Sequence, residues 1–187
     1  MLNYTNVITE EKSYSGLQMK EIKPVMKLIV RGKKREFLSA IGKSLNLLLP
    51  TESNTSSRSE KLTALWLSPD EWMIYSNETL NSKNNDYDTE NLLNKNISKK
   101  NLGAVTDITD QFVLINIKGD KIFDLFETGS PFNFNDFRHK KGSVIQTILA
   151  KIDVIIHSQN QNEVNLFVRR SFSKHLFSWI NDSASRL

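Results

Sequence analysis

The sequence predicts an α+β fold in which short strands and amphipathic helices alternate along the chain. Two segments, 28–32 and 115–119, each end a strand pattern with a basic residue and a glycine and lead directly into a helical pattern. A third segment, 62–75, consists of two apolar runs around a proline-containing turn, which predicts a β-hairpin. Because the order of elements is similar in the two halves, the sequence also predicts an internal duplication.

The first half is predicted to contain a strand, a long helix, the hairpin and a short helix, at 25–31, 33–47, 62–75 and 90–98. Gly32 ends the first strand. The long helix is predicted because its apolar residues recur at helical spacing: Phe37, Leu38, Ile41 and Leu45. Two segments rich in polar residues are predicted to be surface loops, at 50–61 and 76–89.

The hairpin turn is predicted at Ser68-Pro69-Asp70-Glu71. Proline presets φ for the second turn position, and Ser and Asp bond their own backbone nearby. Trp66 and Trp72 lie on either side of Pro69 and are predicted to pair across the strands on one face. Asp70 and Glu71 are therefore interpreted as turn residues rather than catalytic acids.

The second half is predicted to contain a strand, a helix, two further strand segments and a last helix, at 111–118, 120–127, 144–156, 163–169 and 172–181. The last helix has the strongest pattern, with Ser171 as its predicted N-cap. Its apolar stripe is predicted to be Phe172, Leu176, Trp179 and Ile180.

The N-terminal segment is treated separately from the repeated part of the chain. Residues 1–24 are mostly polar and predict an N-terminal arm, either a frayed tail or a segment that orders on a partner. Residues 25–187 predict a single domain, with pseudo-repeats at about 25–100 and 101–187.

Length and composition are typical of a globular protein with a sizeable core: of 187 residues, 39% are hydrophobic and 25% are charged. No run approaches the roughly 20 apolar residues that span a bilayer. The N-terminal residues lack the pattern of a secretory signal. The absence of cysteine excludes disulfides, thiolate nucleophiles and cysteine-based metal sites. We therefore expect a cytoplasmic protein without a membrane partner.

A net charge of +4 raises the alternative of a basic RNA-binding module. The basic residues, however, are dispersed in small groups such as 31–35 and 139–141. Aromatic residues are not interleaved with them as a stacking platform would require. The sequence therefore favours a protein without a nucleic-acid partner.

Three histidines are the first residues to consider for metal binding or acid–base chemistry: His139, His157 and His175. None has a second ligand-type residue at metal spacing, so no metal site is predicted. Asp107 and Asp110 could share acid–base work, but their position just before a strand favours a turn.

Glycine and arginine residues at strand–helix junctions are candidates for anion binding. Gly32 and Gly119 each precede a helix, whose N-terminus could hold an anion, but the nucleotide-binding glycine motifs are absent. Arg169 and Arg170 could hold a carboxylate or phosphate, although a surface or partner salt bridge is favoured. Tryptophans are common in cores and at subunit contacts. The candidate partner-contact residues are therefore Arg169, Arg170, Trp66 and Trp72, and no catalytic, cofactor-binding or metal-binding residue is predicted.

Several motifs in order resemble those of one protein family. Residues 64–72, Ala-Leu-Trp-Leu-Ser-Pro-Asp-Glu-Trp, resemble the LWLGPDEWL stretch of gamma subunits of heterotetrameric sarcosine oxidase. Residues 105–110, Val-Thr-Asp-Ile-Thr-Asp, with Gly119 beyond them, are similar to the family's VTDVSD segment. Further matches follow at Pro131, Phe137, 146–147, 149–150, 168–172 and Trp179, so that the resemblance covers about 25–180.

The resemblance implies the fold of the folate-binding domain of the glycine-cleavage T-protein, which has two swapped β-α-β-β-β-α units. It also implies a complex with alpha, beta and delta subunits that demethylates sarcosine oxidatively. The products implied are glycine, hydrogen peroxide and formaldehyde, or 5,10-methylenetetrahydrofolate when folate is present. FAD, FMN, NAD and tetrahydrofolate are expected in the partner subunits, and no cofactor is expected in this chain.

A folate site of the T-protein kind is not expected here. T-proteins carry a Gly-Tyr-Thr-Gly-Glu type motif in the second half, whereas the comparable segment, 146–154, reads Gln-Thr-Ile-Leu-Ala-Lys-Ile-Asp-Val and no glycine follows Gly142. The sequence therefore favours a non-catalytic gamma subunit of sarcosine oxidase over a stand-alone folate-dependent aminomethyltransferase-like enzyme.

Overall fold

The computed structural model describes residues 6–8, 11–80 and 87–187. Contacts divide the chain into two compact units, Pro24–Thr109 and a second that joins Met1–Lys23 to Asp110–Leu187. The strands, in chain order, are β1 Lys12–Tyr14, β2 Leu17–Glu21, β3 Lys27–Arg31, β4 Ser56–Arg58, β5 Leu62–Ser68, β6 Glu71–Ser76, β7 Ala104–Asp107, β8 Phe112–Lys118, β9 Val144–Leu149, β10 Ile152–Asn160 and β11 Glu163–Arg169. The α-helices are α1 Arg35–Leu45, α2 Tyr87–Asn96, α3 Ile122–Glu127 and α4 Arg170–Ala184.

The unit Pro24–Thr109 is a five-stranded sheet with the order β4-β5-β6-β3-β7. One face of this sheet is apolar and packs against α1 and α2, because alternate strand residues point to the same side. The centre of that core holds Leu28 and Val30 from β3, Phe37 and Ile41 from α1, and Leu93 from α2.

The unit that includes Asp110–Leu187 is a six-stranded sheet with the order β1-β2-β8-β11-β10-β9. Its core packs the sheet against α3 and α4 and contains Phe123, Phe126, Phe134 and Phe137, whose ring centroids lie 5.6–6.3 Å apart. Aromatic pairs at these distances add to the stabilisation that burial provides.

The two sheets have the same connectivity. β3, β4, β5 and β6 are arranged as β4-β5-β6-β3, and β8, β9, β10 and β11 are arranged in the same way as β9-β10-β11-β8. The strand that precedes each set belongs to the other sheet: β2 precedes β3 but pairs with β8, and β7 precedes β8 but pairs with β3. This exchange confirms the α+β fold of two swapped β-α-β-β-β-α units.

Most predicted elements occur within two residues of their predicted bounds. β11 occupies the predicted 163–169, and the predicted hairpin at 62–75 is β5 and β6, with Trp66 and Trp72 directly opposite each other. The segment at 144–156 is two strands, β9 and β10, joined by Ala150 and Lys151 at positive φ. Positive φ at both residues of a two-residue loop is the geometry of a type I′ hairpin turn.

Part of the predicted N-terminal arm is a hairpin in the sheet. β1 and β2 pair with each other, and β2 pairs with β8 from Gln18 to Glu21. The burial of β2 alternates with a period of two, as expected for a strand with one face on the core. The rest of the predicted arm includes 1–5 and 9–10, which lie outside the described residues.

The last helix begins earlier than predicted. It starts at Arg170, so Ser171 lies inside the helix and Arg169 occupies the N-cap position without a side-chain cap. Its buried stripe is Ser173, Leu176, Phe177, Ile180 and Ala184. Phe172 is 50% exposed because it lies off this stripe, so the prediction that it is a core residue was wrong.

Two strands of the unit Pro24–Thr109 were not predicted from the sequence. β4 lies inside the predicted loop at 50–61, and β7 follows the short helix. Both are edge strands of three or four residues with few buried side chains, so they lack the apolar alternation that reveals a strand. The second predicted loop, 76–89, includes 81–86, which lie outside the described residues, and α2 begins at Tyr87.

Candidate functional site

The β5–β6 turn is held by hydrogen bonds of the kind that its sequence predicts. Ser68 Oγ donates to Asp70 Oδ1 at 2.9 Å, and the backbone N–H of Asp70 donates to Ser68 Oγ at 3.4 Å. The backbone N–H of Gly32 donates to the Asp70 carbonyl at 3.0 Å and ties the turn to the end of β3. The turn therefore fixes the hairpin register relative to β3.

The two carboxylates of this turn face cations. Arg31 Nε lies 3.6 Å from Glu71 Oε2, and Lys33 Nζ lies 3.8 Å from Asp70 Oδ2. The hydrogen bond from Ser68 lowers the pKa of Asp70 most, and the charges of Arg31 and Lys33 lower it further. The lowered pKa of Asp70 favours its ionised form, which suits a structural turn and not proton transfer, and Glu71 forms a salt bridge in the same turn.

Replacing Ser68 with alanine is expected to raise the pKa of Asp70 towards its ordinary value, because the hydroxyl is the main cause of the lowered value. A lowered pKa in the folded chain stabilises it at pH above the ordinary carboxyl range, and this contribution is lost as pH falls through the lowered value. NMR titration of the Asp70 carboxyl carbon measures the change. Lys33→Ala is the matched control and should move the pKa less; a larger shift in Lys33→Ala than in Ser68→Ala contradicts this order of causes.

The two tryptophans predicted to contact a partner differ in exposure. Trp72 is only 3% exposed, its indole Nε1 donates to the Pro50 carbonyl at 2.8 Å, and its ring lies 5.9 Å from that of Phe37. Trp66 is half-buried at the edge of the same core. Trp66 therefore presents part of its surface, whereas Trp72 is a core residue, so a direct partner contact by Trp72 is not supported.

The two arginines lie where β11 passes into α4. Arg169 is exposed, whereas Arg170 is half-buried and its backbone N–H donates to the Gln111 carbonyl at 2.8 Å. Phe172, 50% exposed, follows them on the first turn of α4. Arginine and phenylalanine are both enriched in protein interfaces, so this junction combines the residue types of a contact surface.

The residues considered for acid–base or metal chemistry are not brought together. His157 is buried in β10, with its Nδ1 2.7 Å from Gln159 Nε2, whereas His139 and His175 are exposed. Asp107 Oδ1 accepts a hydrogen bond from the Thr109 backbone N–H at 2.8 Å, which is the turn geometry that the sequence favours. Among the described residues, no group of three or more His, Cys, Asp or Glu side chains is placed to hold a metal ion. Nor does any helix in the described ranges have the length and apolar character to cross a membrane.

One buried polar cluster lies on β8 and β11. The amide nitrogen of Asn116, which is 6% exposed, donates to Glu163 Oε1 at 3.0 Å and to Asn165 Oδ1 at 2.9 Å. Burial raises the pKa of Glu163, but the hydrogen bonds from Asn116 and Lys118 and the charge of Lys118 outweigh it, so the pKa is lowered. Since Asn116 and Glu163 satisfy each other, the cluster is structural.

A surface groove between α1 and α2 was not predicted. Its sides carry Arg35 and Lys43 from α1 and Lys100 from the short 3₁₀ helix Ser98–Lys100 that follows α2. The sequence analysis placed Arg35 in one of several dispersed basic groups. No sequence pattern predicted that Lys100 would line the same groove. The helical pattern of α1 gave the available signal, since Arg35, Ser39 and Lys43 recur every four residues.

Two repeated units that exchange their leading strands define the class of the fold, which is that of two swapped β-α-β-β-β-α units. The chain belongs to the sarcosine oxidase, gamma subunit family, whose family model matches residues 31–186.

Solved structures support the fold assignment. A chain of the heterotetrameric sarcosine oxidase from Corynebacterium sp. U-96, in complex with pyrrole 2-carboxylate, is similar with a TM-score of 0.80 and 19% identity, over 91% of this chain and 84% of that chain. The glycine cleavage system aminomethyltransferase T from Bartonella henselae is similar with a TM-score of 0.60 and 15% identity, over 90% of this chain and 46% of that one. No curated protein sequence matches the chain significantly.

Proposed function

We propose that the chain is a non-catalytic gamma subunit of a heterotetrameric sarcosine oxidase. The complex demethylates sarcosine oxidatively to glycine, hydrogen peroxide and formaldehyde, or 5,10-methylenetetrahydrofolate when folate is present. The observation that carries this proposal is the family match over residues 31–186, which includes the Trp66–Trp72 hairpin and most of both repeated units.

The partners in this proposal are alpha, beta and delta subunits, which carry FAD, FMN, NAD and the tetrahydrofolate site in the cytoplasm. The chain itself contributes surface: Arg169, Arg170 and Trp66 contact a partner, and Trp72 holds the hairpin in the core. The exposure of Arg169 and of the neighbouring Phe172 favours this role. The single-domain organisation and the repeat bounds remain predictions.

Co-purification tests the proposal. The tagged chain, co-expressed with the flavin-carrying subunits of its own source, is expected to elute with them as one yellow species that oxidises sarcosine. Elution of the chain without flavin absorbance would contradict the proposal. Titration of the purified chain with tetrahydrofolate is expected to show no saturable binding, and saturation would favour the aminomethyltransferase-like alternative.

Replacing Arg169 with glutamate is expected to weaken association with the complex about tenfold. The substitution replaces a cation by a carboxylate, which a negatively charged group of the partner subunit would repel. Surface plasmon resonance on the immobilised flavin-carrying subunits measures the change. Lys151→Glu, at an exposed position in the β9–β10 turn, is the matched control and should bind as the wild type does. Equal binding by both variants would remove Arg169 from the contact surface.

A further inference from the structure

The α1–α2 groove is a feature of the described surface that the proposed function has not used. It has a volume of about 700 Å³. Its apolar lining residues are Ala40 of α1, Leu92 of α2 and Leu102, and Leu92 is 41% exposed. One wall is braced by the hydrogen bond from Asn96 Nδ2 to Ser44 Oγ at 3.0 Å, which fixes α2 against α1. The groove is therefore a formed feature of a single unit, Pro24–Thr109.

The groove is positively charged. Arg35, Lys43 and Lys100 line it against one carboxylate, that of Glu36. None of the three cations makes an ion pair with another described residue, unlike Arg31 and Lys33 at the hairpin turn. Three cations around the apolar side chains of Ala40, Leu92 and Leu102 form a surface that complements acidic groups.

Leu92 is the apolar side chain of this groove that is most open to an occupant. It is 41% exposed, and it lies on the face of α2 that carries Asn96, one turn further along the helix. A single exposed leucine needs no explanation by itself, but one that lies among three cations provides an apolar contact within a charged surface.

We propose that this groove binds an acidic segment of a partner subunit, with apolar side chains that contact Leu92 and carboxylates that pair with Arg35, Lys43 and Lys100. This inference rests on the proposed function, because it assigns a surface of the gamma subunit to its complex. The segment's carboxylates pair with the three cations, and its apolar side chains cover Leu92.

A polypeptide fits this groove better than a small molecule or a second copy of the chain. All residues of the groove are exposed or half-buried, whereas a small-molecule pocket encloses most of its ligand. A second copy related by two-fold symmetry would bring the same basic surface against this one.

Charge reversal in the assembled complex tests the inference. A triple variant, Arg35→Glu, Lys43→Glu and Lys100→Glu, is expected to bind the flavin-carrying subunits at least tenfold more weakly than the wild type at low salt. Added salt should narrow this difference, because screening weakens the wild-type contact. The matched control, Lys61→Glu, Lys140→Glu and Lys141→Glu, changes the net charge equally at exposed positions and is expected to bind within threefold of the wild type.

Cross-linking identifies the occupant. A photoreactive amino acid at Leu92 in the assembled complex is expected to link to a peptide rich in Asp and Glu from a partner subunit, identified by mass spectrometry. A cross-link to a second copy of this chain, or no cross-link in a complex that assembles, would overturn the inference. Equal binding by the groove variant and the control variant would also overturn the inference. Each of these three results leaves the proposed function standing. If the wild-type chain itself does not assemble, the proposed function and this inference fail together.

Discussion

Replacing Gly119 with alanine is expected to lower the free energy of unfolding by about 3–4 kcal/mol, the size of a severe backbone substitution. Gly119 ends β8 at φ +136°, a conformation that side chains rarely adopt. A Cβ there would also meet the backbone of Gly16, with the carbonyl carbon only 2.6 Å away. Strain and a backbone clash therefore act together. The atoms that the Cβ would meet are backbone atoms of Gly16 and Leu17, so no flexible side chain can move aside.

Gly42 provides the matched control for this substitution. It lies within α1, where a Cβ would meet nothing closer than Leu48 Cδ2 at 3.7 Å, an ordinary contact. Gly42→Ala is therefore expected to stabilise the chain by about 0.5–1 kcal/mol, since alanine favours a helix interior. Urea unfolding followed by circular dichroism measures both variants. Similar stability for the Gly119 and Gly42 variants would show that the strand ending at Gly119 tolerates a side chain.

The role of Gly119 illustrates what the sequence predicted and what it left out. The pattern of a strand ending in glycine before a helix located both Gly32 and Gly119 correctly, but it suggested helix N-termini that hold an anion. Beside Gly32, the space that a Cβ would take is filled by the ring of Phe37 at 2.5 Å. Beside Gly119, it is filled by Gly16. Phe37 lies in the helix that follows Gly32, whereas Gly16 lies in the turn between β1 and β2, about a hundred residues before Gly119. The contact at Gly119 therefore depends on strand pairing that one segment of sequence does not show.

Strong local patterns predicted most of the fold. β11 and the β5–β6 hairpin were predicted from apolar alternation and turn residues, because both are set by neighbours in sequence. The exchange of β2 and β7 between the sheets was not predictable from the residues of those strands, since a strand of four or five residues carries little information on which sheet it joins. The resemblance to a known family supplied that feature.

The candidate site was predicted unevenly for the same reason. The turn role of Asp70 depends on Ser68 and nearby cations, all close in sequence or in an adjacent strand, and the sequence anticipated it. The α1–α2 groove is lined by both Arg35 and Lys100, two residues that are far apart in sequence. Only the packing of α1 against α2 reveals that they share a groove. Ser171 was assigned as an N-cap because its residue type favours caps, but the extended backbone of β11 continues to Arg169 and the helix starts directly after it.

Replacing Phe37 with alanine is expected to cost about 3–5 kcal/mol of unfolding free energy, the usual range for a fully buried phenylalanine. Phe37 has no exposed surface and its ring packs against Trp72. It also fills the space beside Gly32 and Gly103, where Cβ atoms would lie 2.5 Å and 2.7 Å from the ring. The substitution therefore leaves a cavity where α1, the end of β3 and the start of β7 meet.

The matched control for this cavity is Phe172→Ala, because Phe172 is half exposed and lies off the buried stripe of α4. Its truncation is expected to cost less than about 1 kcal/mol, since little apolar surface returns to water. Hydrogen exchange measured by mass spectrometry separates the two effects: Phe37→Ala should lower protection across Pro24–Thr109, whereas Phe172→Ala should affect α4 alone. Equal destabilisation by the two variants would contradict the packing described for Phe37. If Phe172→Ala instead weakens binding to the flavin-carrying subunits while stability is kept, the β11–α4 junction acts through its surface, as proposed.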